Sequence, residues 1–114
     1  MGVMTRRTAA NRPDFGSETV IHEGLANHRR GMEARGGWLY LTGERLHFKS
    51  HGFNVQNQEL TIPLDQVASA ATGRTLGIIP NRLIVTLKDG AHERFVVQGA
   101  GAWERAIGAA CSPA

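Results

Sequence analysis

The sequence lacks several features that would decide its class at once. It has one cysteine, Cys111, among 114 residues, which excludes an intramolecular disulfide and favours a reducing, cytoplasmic location. No apolar run approaches the roughly 18 residues of a membrane-spanning helix, and the first residues carry arginines without the apolar stretch of a secretory signal. We therefore expect neither a transmembrane segment nor a disulfide framework.

The chain also has no large excess of positive or negative charge, and it has few aromatic residues. Thirteen Lys and Arg against ten Asp and Glu give a net charge of +3, with both signs mixed along the chain. This balance permits weak attraction to an anionic membrane surface, but it does not indicate nucleic-acid binding. Hydrophobic residues make up 41% of the chain and aromatic residues only 6%, which predicts one domain with a lean core.

The texture of the sequence changes after residue 18. Residues 1–18 are polar and predict a flexible tail, whereas from Thr19 onward short apolar alternations are separated by Gly, Pro, Asn and Asp. This pattern predicts a mainly β domain over residues 19–111, with about seven strands and with 112–114 as the C-terminal end. One amphipathic helix closes the domain, because apolar residues recur there at helical spacing: Trp103, Ile107 and Ala110 or Cys111.

The stretch GGWLYLTGERLHFKSH, residues 36–51, predicts a β-hairpin. Gly43-Glu44 supplies a two-residue turn with glycine first, as a type II′ turn prefers, and Gly36-Gly37 predicts a bend or bulge. With that turn, two apolar pairs share the core-facing side, Leu41 with Leu46 and Leu39 with Phe48. The opposite side carries an outer row that is a candidate interaction face for a partner, a second copy or the N-terminal tail: Trp38, Tyr40, His47 and Lys49.

A second hairpin is predicted in RLIVTLKDGAHERFVVQ, residues 82–98. A two-residue Asp89-Gly90 loop would oppose Val85 to Arg94, so a three-residue loop with a left-handed Gly90 is favoured. That loop opposes Val85 to Phe95 and Leu83 to Val97. Two other strands carry breakers, Gly24 as an interruption of the first strand and Pro63 as the mark of an edge or strand end.

The histidines and the serine do not form a recognisable reactive group. His47 and His51 have the i, i+4 spacing of a helical zinc site, but a strand separates them by about 13 Å. No cysteine or carboxylate cluster joins them, and the other histidines are scattered along the sequence. Ser50 and His51 point to opposite faces of a strand. We therefore predict no metal, no cofactor and no enzymatic activity.

Five stretches follow one another in this order: EGLANHRRG, GGWLYLTGERLHFKSH, LTIPLDQVAS, VTLKDGAHERFVV and AWERAI. Taken together they resemble the GRAM family of the pleckstrin-homology-like superfamily, and the resemblance covers about Val20 to Ala110. It implies an open barrel of two near-orthogonal antiparallel sheets with one capping helix. It also implies a non-catalytic module that recognises phosphoinositides, other membrane lipids or proteins. For this chain we expect a small, bacterial-type, stand-alone version of that module.

The resemblance directs attention to the loop after the first strand, where pleckstrin-homology-like folds often dock phosphorylated headgroups. In NHRRGMEARGG that loop carries Arg29, Arg30 and Arg35, with Glu33 among them. Arginine guanidinium groups bind phosphate through paired hydrogen bonds. We therefore expect an adaptor module that binds a protein partner or anionic lipid headgroups, in the cytoplasm or at the membrane surface. The alternative is a self-associating structural domain, for example a homodimer, that uses the outer row of the hairpin.

Overall fold

The described part of the protein consists of seven antiparallel strands followed by one helix. A computed structural model describes residues 12–50 and 59–111. The predicted tail up to residue 11, His51 and the C-terminal end 112–114 lie outside the described residues. The strands are β1 Val20–Arg30, β2 Glu33–Thr42, β3 Arg45–Ser50, β4 Glu59–Pro63, β5 Val67–Thr75, β6 Ile79–Leu87 and β7 His92–Val97, and the helix is α1 Ala100–Cys111.

The seven strands form one curled sheet in the order β4-β3-β2-β1-β7-β6-β5. Strand β1 pairs with β2 along its whole length, but with β7 only from Ala26 to Arg29. This short seam joins the two predicted sheets into a single half-barrel. Pro63 is the last residue of the edge strand β4, as predicted, because proline cannot donate a ladder hydrogen bond.

The core lies between the inner face of the curled sheet and helix α1. Trp103 and Ile107 project from one side of the helix and are almost completely buried, as their spacing predicts. The helix packs against β5, β6, β1 and the 3-10 turn Leu64–Gln66. Burial of each large apolar side chain contributes about 1.5–3 kcal/mol. The sheet supplies the other fully buried apolar side chains: Leu39, Leu41, Leu46, Phe48, Leu83, Val85 and Phe95.

The first hairpin has the predicted register but a different turn. The pairs run from Trp38 opposite Lys49 to Leu41 opposite Leu46, as predicted. Gly43 does not have the positive φ of a type II′ turn, so that part of the prediction is wrong. Instead, the hydroxyl of Thr42 accepts hydrogen bonds from the backbone N–H groups of Glu44 and Arg45, each at 3.0 Å.

The second hairpin is displaced by two residues from the predicted register. Its three-residue loop has a left-handed Gly90, with φ +95, but the loop begins at Lys88. Leu83 therefore opposes Phe95, and Val85 opposes Glu93. Because side chains alternate with a period of two, the displacement leaves the same residues on the core-facing side. The predicted pairs are wrong, but the predicted buried residues are correct.

Two glycine predictions fail for different reasons. Strand β1 continues through Gly24, and its irregularity lies between Val20 and His22. Strand β2 has no bulge at Gly36-Gly37. Gly37 is required by close approach instead, since a Cβ there would lie 2.3 Å from the backbone oxygen of Lys49.

Candidate functional site

The β1–β2 turn distributes the three predicted arginines over two faces of the sheet. Arg30 and Arg35 continue the core-facing alternation past the buried His28, and both lie next to Glu33. Arg30 is the cross-strand partner of Glu33, and Nη2 of Arg35 lies 3.8 Å from its Oε1. Arg29 has the opposite orientation and lies on the outer face. The structure therefore does not bring the three guanidinium groups together.

Strand β7 gives Arg29 a different set of neighbours. Arg29 lies directly opposite Arg94, and on the next strand Arg82 is the partner of Val96, two residues beyond Arg94. Directly opposed residues of a sheet have Cβ atoms about 4.5–5.5 Å apart, and diagonal ones lie about 7–8 Å apart. All three alternate with buried residues and so face outward. We call Arg29, Arg82 and Arg94 the outer arginine row.

The outer arginine row is positively charged without compensation among the residues described. No ion pair involves any of the three arginines within residues 12–50 and 59–111. The only polar contact of the row there is a 3.3 Å hydrogen bond from Nε of Arg82 to the Thr75 hydroxyl. Like charges directly opposite each other destabilise a sheet. The flanking outward positions are uncharged: Asn27, Ala34, Gly36, Ala71, Gly73, Ile84 and Val96.

A groove of about 580 Å³ adjoins this row on the outer face. Its lining includes the polar side chains of Asn27 and Asn81 and the apolar side chains of Leu25, Ile79 and Val96. Val96 is the cross-strand partner of Arg82, so the groove and the row are contiguous. A side chain at Gly36 would meet Oδ1 of Asn27 at 3.1 Å, and its absence keeps this part of the groove open. The volume suits a small ligand.

The outer row of the first hairpin is partly covered by the chain itself. Residues 12–18, which we call the N-terminal segment, place Phe15 against Tyr40 with ring centroids 5.1 Å apart. Tyr40 is 3% exposed and His47 is 5% exposed. Burial raises the pKa of the Tyr40 phenol. Trp38 and Lys49 are only half-buried, so half of the predicted interaction face is accessible.

Ion pairs and hydrogen bonds hold the N-terminal segment on the sheet. Arg12 pairs with Glu23 at 2.8 Å, and Glu18 pairs with Arg45 at 3.1 Å. Glu18 also accepts a 2.7 Å hydrogen bond from the Thr42 hydroxyl. That hydrogen bond, together with the nearby Arg45 guanidinium, lowers the pKa of the Glu18 carboxyl. These residues belong to the predicted N-terminal tail, which was one of the three occupants considered for the outer row, and in the structure they pack against that row.

The buried histidines are engaged by neighbouring side chains. The two ring nitrogens of His47 lie 2.8 Å from the Thr61 hydroxyl and 3.0 Å from a Glu59 carboxylate oxygen. Nε2 of His28 lies 2.7 Å from a Glu93 carboxylate oxygen. Within the two described stretches, no three His, Cys, Asp or Glu side chains are placed to share a metal ion.

Comparison with known proteins identifies the fold. No protein-family model matches the chain, and no curated protein matches it significantly. A C-terminal domain of an unknown protein from Leishmania infantum aligns with a TM-score of 0.76 at 14% identity, over 96% of this chain and 98% of that one. The Slm1 pleckstrin-homology domain in complex with phosphoserine aligns with a TM-score of 0.64 at 14% identity, over 82% and 97%. The protein has a pleckstrin-homology-like fold.

The pleckstrin-homology-like fold also occurs in larger proteins. The DH/PH domains of p115-RhoGEF align with a TM-score of 0.65 at 14% identity, over 96% of this chain and 35% of that one.

No helix built from the described residues has the length and apolar character needed to cross a membrane.

Arg82 and Arg94 were not among the predicted site residues. Both alternate with core residues in the second hairpin, which marks them as outward-facing. Their proximity to Arg29 depends on the pairing of β1 with β7, which joins distant parts of the sequence. The alternation within each strand identifies Arg82 and Arg94 as exposed, but it does not show that they lie near Arg29.

Proposed function

We propose that this protein is a non-catalytic binding module whose outer arginine row holds a phosphorylated, anionic headgroup. The observation that carries the proposal is the direct opposition of Arg29 and Arg94 on the outer face without an acidic partner in the described chain. An anion between the two guanidinium groups would relieve their repulsion. Because each group presents a fork of donors, a phosphate can accept several charge-assisted hydrogen bonds at once.

The fold neighbours support the same chemistry. The Slm1 pleckstrin-homology domain was solved in complex with phosphoserine and in complex with inositol 4-phosphate, both of which present a phosphate monoester. In this chain the groove beside Arg82 offers Asn27, whose side-chain amide can hydrogen-bond the hydroxyl groups of a headgroup. Binding of this kind requires no nucleophile and no proton transfer.

The predicted loop arginines have a secondary role in this proposal. Glu33 lies beside both Arg30 and Arg35 and offsets one of their two charges, so we assign the principal contacts to Arg29 and its partners on β6 and β7. The resemblance to GRAM domains supports a membrane lipid as the source of the headgroup and a peripheral, cytoplasmic location. Self-association through the outer row of the first hairpin is less well supported, because Phe15 covers Tyr40 and His47.

Nuclear magnetic resonance titration with inositol 4-phosphate tests the proposal. We expect the largest shifts at Arg29, Arg82 and Arg94, and Arg94→Gln should weaken binding about tenfold, since it removes a charge-assisted contact. Arg105→Gln, an exposed arginine of helix α1, is the matched control and should bind as the wild-type chain does. Phosphoserine as a second probe should compete for the same residues. Equal affinity of the wild-type chain and Arg94→Gln would contradict the proposal.

A further inference from the structure

The turn between β5 and β6 exposes an unusual amount of apolar surface. Leu76 is 87% exposed, Ile78 is 72% exposed, and Ile79 follows at the start of β6. We call these three residues the apolar tip. An exposed cluster of large aliphatic side chains indicates an interaction surface, because single exposed apolar residues are common but clusters are not.

The backbone of this turn does not require a leucine. Leu76 and Gly77 both have positive φ, +55 and +72, and the N–H of Ile78 donates to the carbonyl oxygen of Thr75 at 3.0 Å. Two consecutive positive φ angles belong to a type I′ turn, whose first position prefers Asn, Asp or Gly. Leucine is unfavourable in this conformation. A polar residue would suit both the turn and the solvent better, so Leu76 is better explained by a contact outside the chain.

Two arginines flank the apolar tip. Nη1 of Arg74 lies 3.5 Å from the carbonyl oxygen of Ile78, and Nε of Arg82 lies 3.3 Å from the hydroxyl of Thr75. Neither arginine has an ion-pair partner among residues 12–50 and 59–111. Apolar side chains with guanidinium groups just behind them complement an anionic bilayer, where acyl chains lie beneath a layer of phosphates.

We propose that the apolar tip inserts into the interfacial layer of an anionic membrane, with Arg74 and Arg82 at the level of the lipid phosphates. This inference rests on the proposed function, because Arg82 belongs both to the outer arginine row and to the base of the tip. The tip holds the protein at the bilayer, and the row then binds headgroups from the same surface. Membrane attachment therefore has an apolar part and a charged part that can be separated by mutation.

Leu76→Asn separates the two parts. Asparagine suits the left-handed conformation, so the variant should fold and unfold at the same temperature as the wild-type chain or higher. We expect its binding to phosphatidylcholine vesicles with about one third phosphatidylserine to fall at least about fivefold in a sedimentation assay. Its affinity for soluble inositol 4-phosphate should not change, whereas Arg94→Gln should lower both.

Met32 provides a matched control at the other end of the sheet. It is 99% exposed at the β1–β2 turn but lies between Gly31 and Glu33, without an apolar neighbour in sequence. Met32→Asn should therefore bind the same vesicles as the wild-type chain does. The inference is overturned if the wild-type chain does not bind these vesicles, or if Leu76→Asn binds them as well as the wild-type chain does. It is overturned likewise if Met32→Asn loses as much vesicle binding as Leu76→Asn. It is also overturned if light scattering shows a dimer that Leu76→Asn converts to a monomer.

Failure of the proposed function has a different signature. In that case inositol 4-phosphate causes no shifts at the outer arginine row and Arg94→Gln leaves vesicle binding unchanged. Vesicle binding that still depends on Leu76 would then support the tip as an attachment site by itself.

Discussion

At the scale of single residues, Gly37 has the least room for a side chain among the glycines of the described stretches. A Cβ there would lie 2.3 Å from the backbone oxygen of Lys49 and 2.7 Å from Cζ of Phe48. Gly37→Ala should therefore lower the free energy of unfolding by about 3 kcal/mol, since β3 must move away and a core ring must shift. Urea unfolding measures the change.

The neighbouring glycine is the control for this prediction. A Cβ at Gly36 would meet only the side-chain oxygen of Asn27, at 3.1 Å, and that side chain can rotate. Gly36→Ala should cost about 1 kcal/mol or less. Equal losses for the two variants would show that backbone entropy, rather than close approach, accounts for the glycines.

The hydrogen bond from Thr42 to Glu18 makes the stability of the fold depend on pH. The pKa of Glu18 is below its ordinary value of 4.5, chiefly because of the hydrogen bond from Thr42 and secondarily because of Arg45. The carboxylate therefore stabilises the fold fully above about pH 4.5, and this contribution is lost as the pH falls through the lowered pKa. Thr42→Val should raise the pKa of Glu18, measured by carbon NMR titration.

Two further variants check the assignment to Glu18. Thr42→Ser keeps the hydroxyl and should leave the Glu18 titration unchanged. Glu18→Gln should flatten the acid limb of the stability curve measured by urea unfolding. An acid limb as steep as that of the wild-type chain would assign it to another carboxylate.

At the scale of elements, the N-terminal segment behaves as a separable cover of the first hairpin. Phe15→Ala should lower the free energy of unfolding by about 2–3 kcal/mol, less than a central phenylalanine, because the segment can detach while the barrel stays folded. The uncovered Tyr40 should then titrate closer to its ordinary pKa of 10.0, measured by ultraviolet absorbance. Phe15→Leu should show a smaller effect on both quantities. A Tyr40 titration unchanged in Phe15→Ala would contradict this description.

The two hairpins show how far local sequence determines an element. Both faces of the first hairpin are predictable, because its strands alternate and its loop is short enough to fix the register. The second hairpin has the predicted faces with a register two residues away, since its loop begins at Lys88 and a slip of two preserves the alternation. For the N-terminal segment, Phe15 is the feature of the sequence that indicates packing on the domain, because it is a large apolar residue in an otherwise polar stretch.

Long-range pairing is the part that the sequence does not reveal. Arg29 was a candidate because of its place beside a turn, whereas Arg82 and Arg94 became candidates only through the β1–β7 seam. No local pattern states which strands meet across a barrel. The apolar tip was not predicted for a related reason, since the exposure of Leu76, Ile78 and Ile79 depends on how the strands around their turn pack.

At the scale of the whole molecule, the two opposed arginines of the β1–β7 seam should favour anion binding while lowering the stability of the fold. Arg94→Gln removes one of two directly opposed positive charges and should raise the free energy of unfolding by about 0.5 kcal/mol at low salt. The gain should fade as salt screens the repulsion. Arg30→Gln is the control, because it removes a charge opposite Glu33 and should bring no gain. Urea unfolding at two salt concentrations measures both variants, and a loss of stability in Arg94→Gln would contradict the prediction.

Helix α1 also has a consequence for how the protein is made. Synthesis runs from the N-terminus, so Trp103 and Ile107 are the last large core side chains to emerge from the ribosome. Until they arrive, the strands that the helix covers must keep their apolar faces in water, where such surfaces are prone to aggregate. The core is therefore complete only after nearly the whole domain has been translated. Until then, chaperones that act on nascent chains can bind the apolar strand faces that helix α1 later covers.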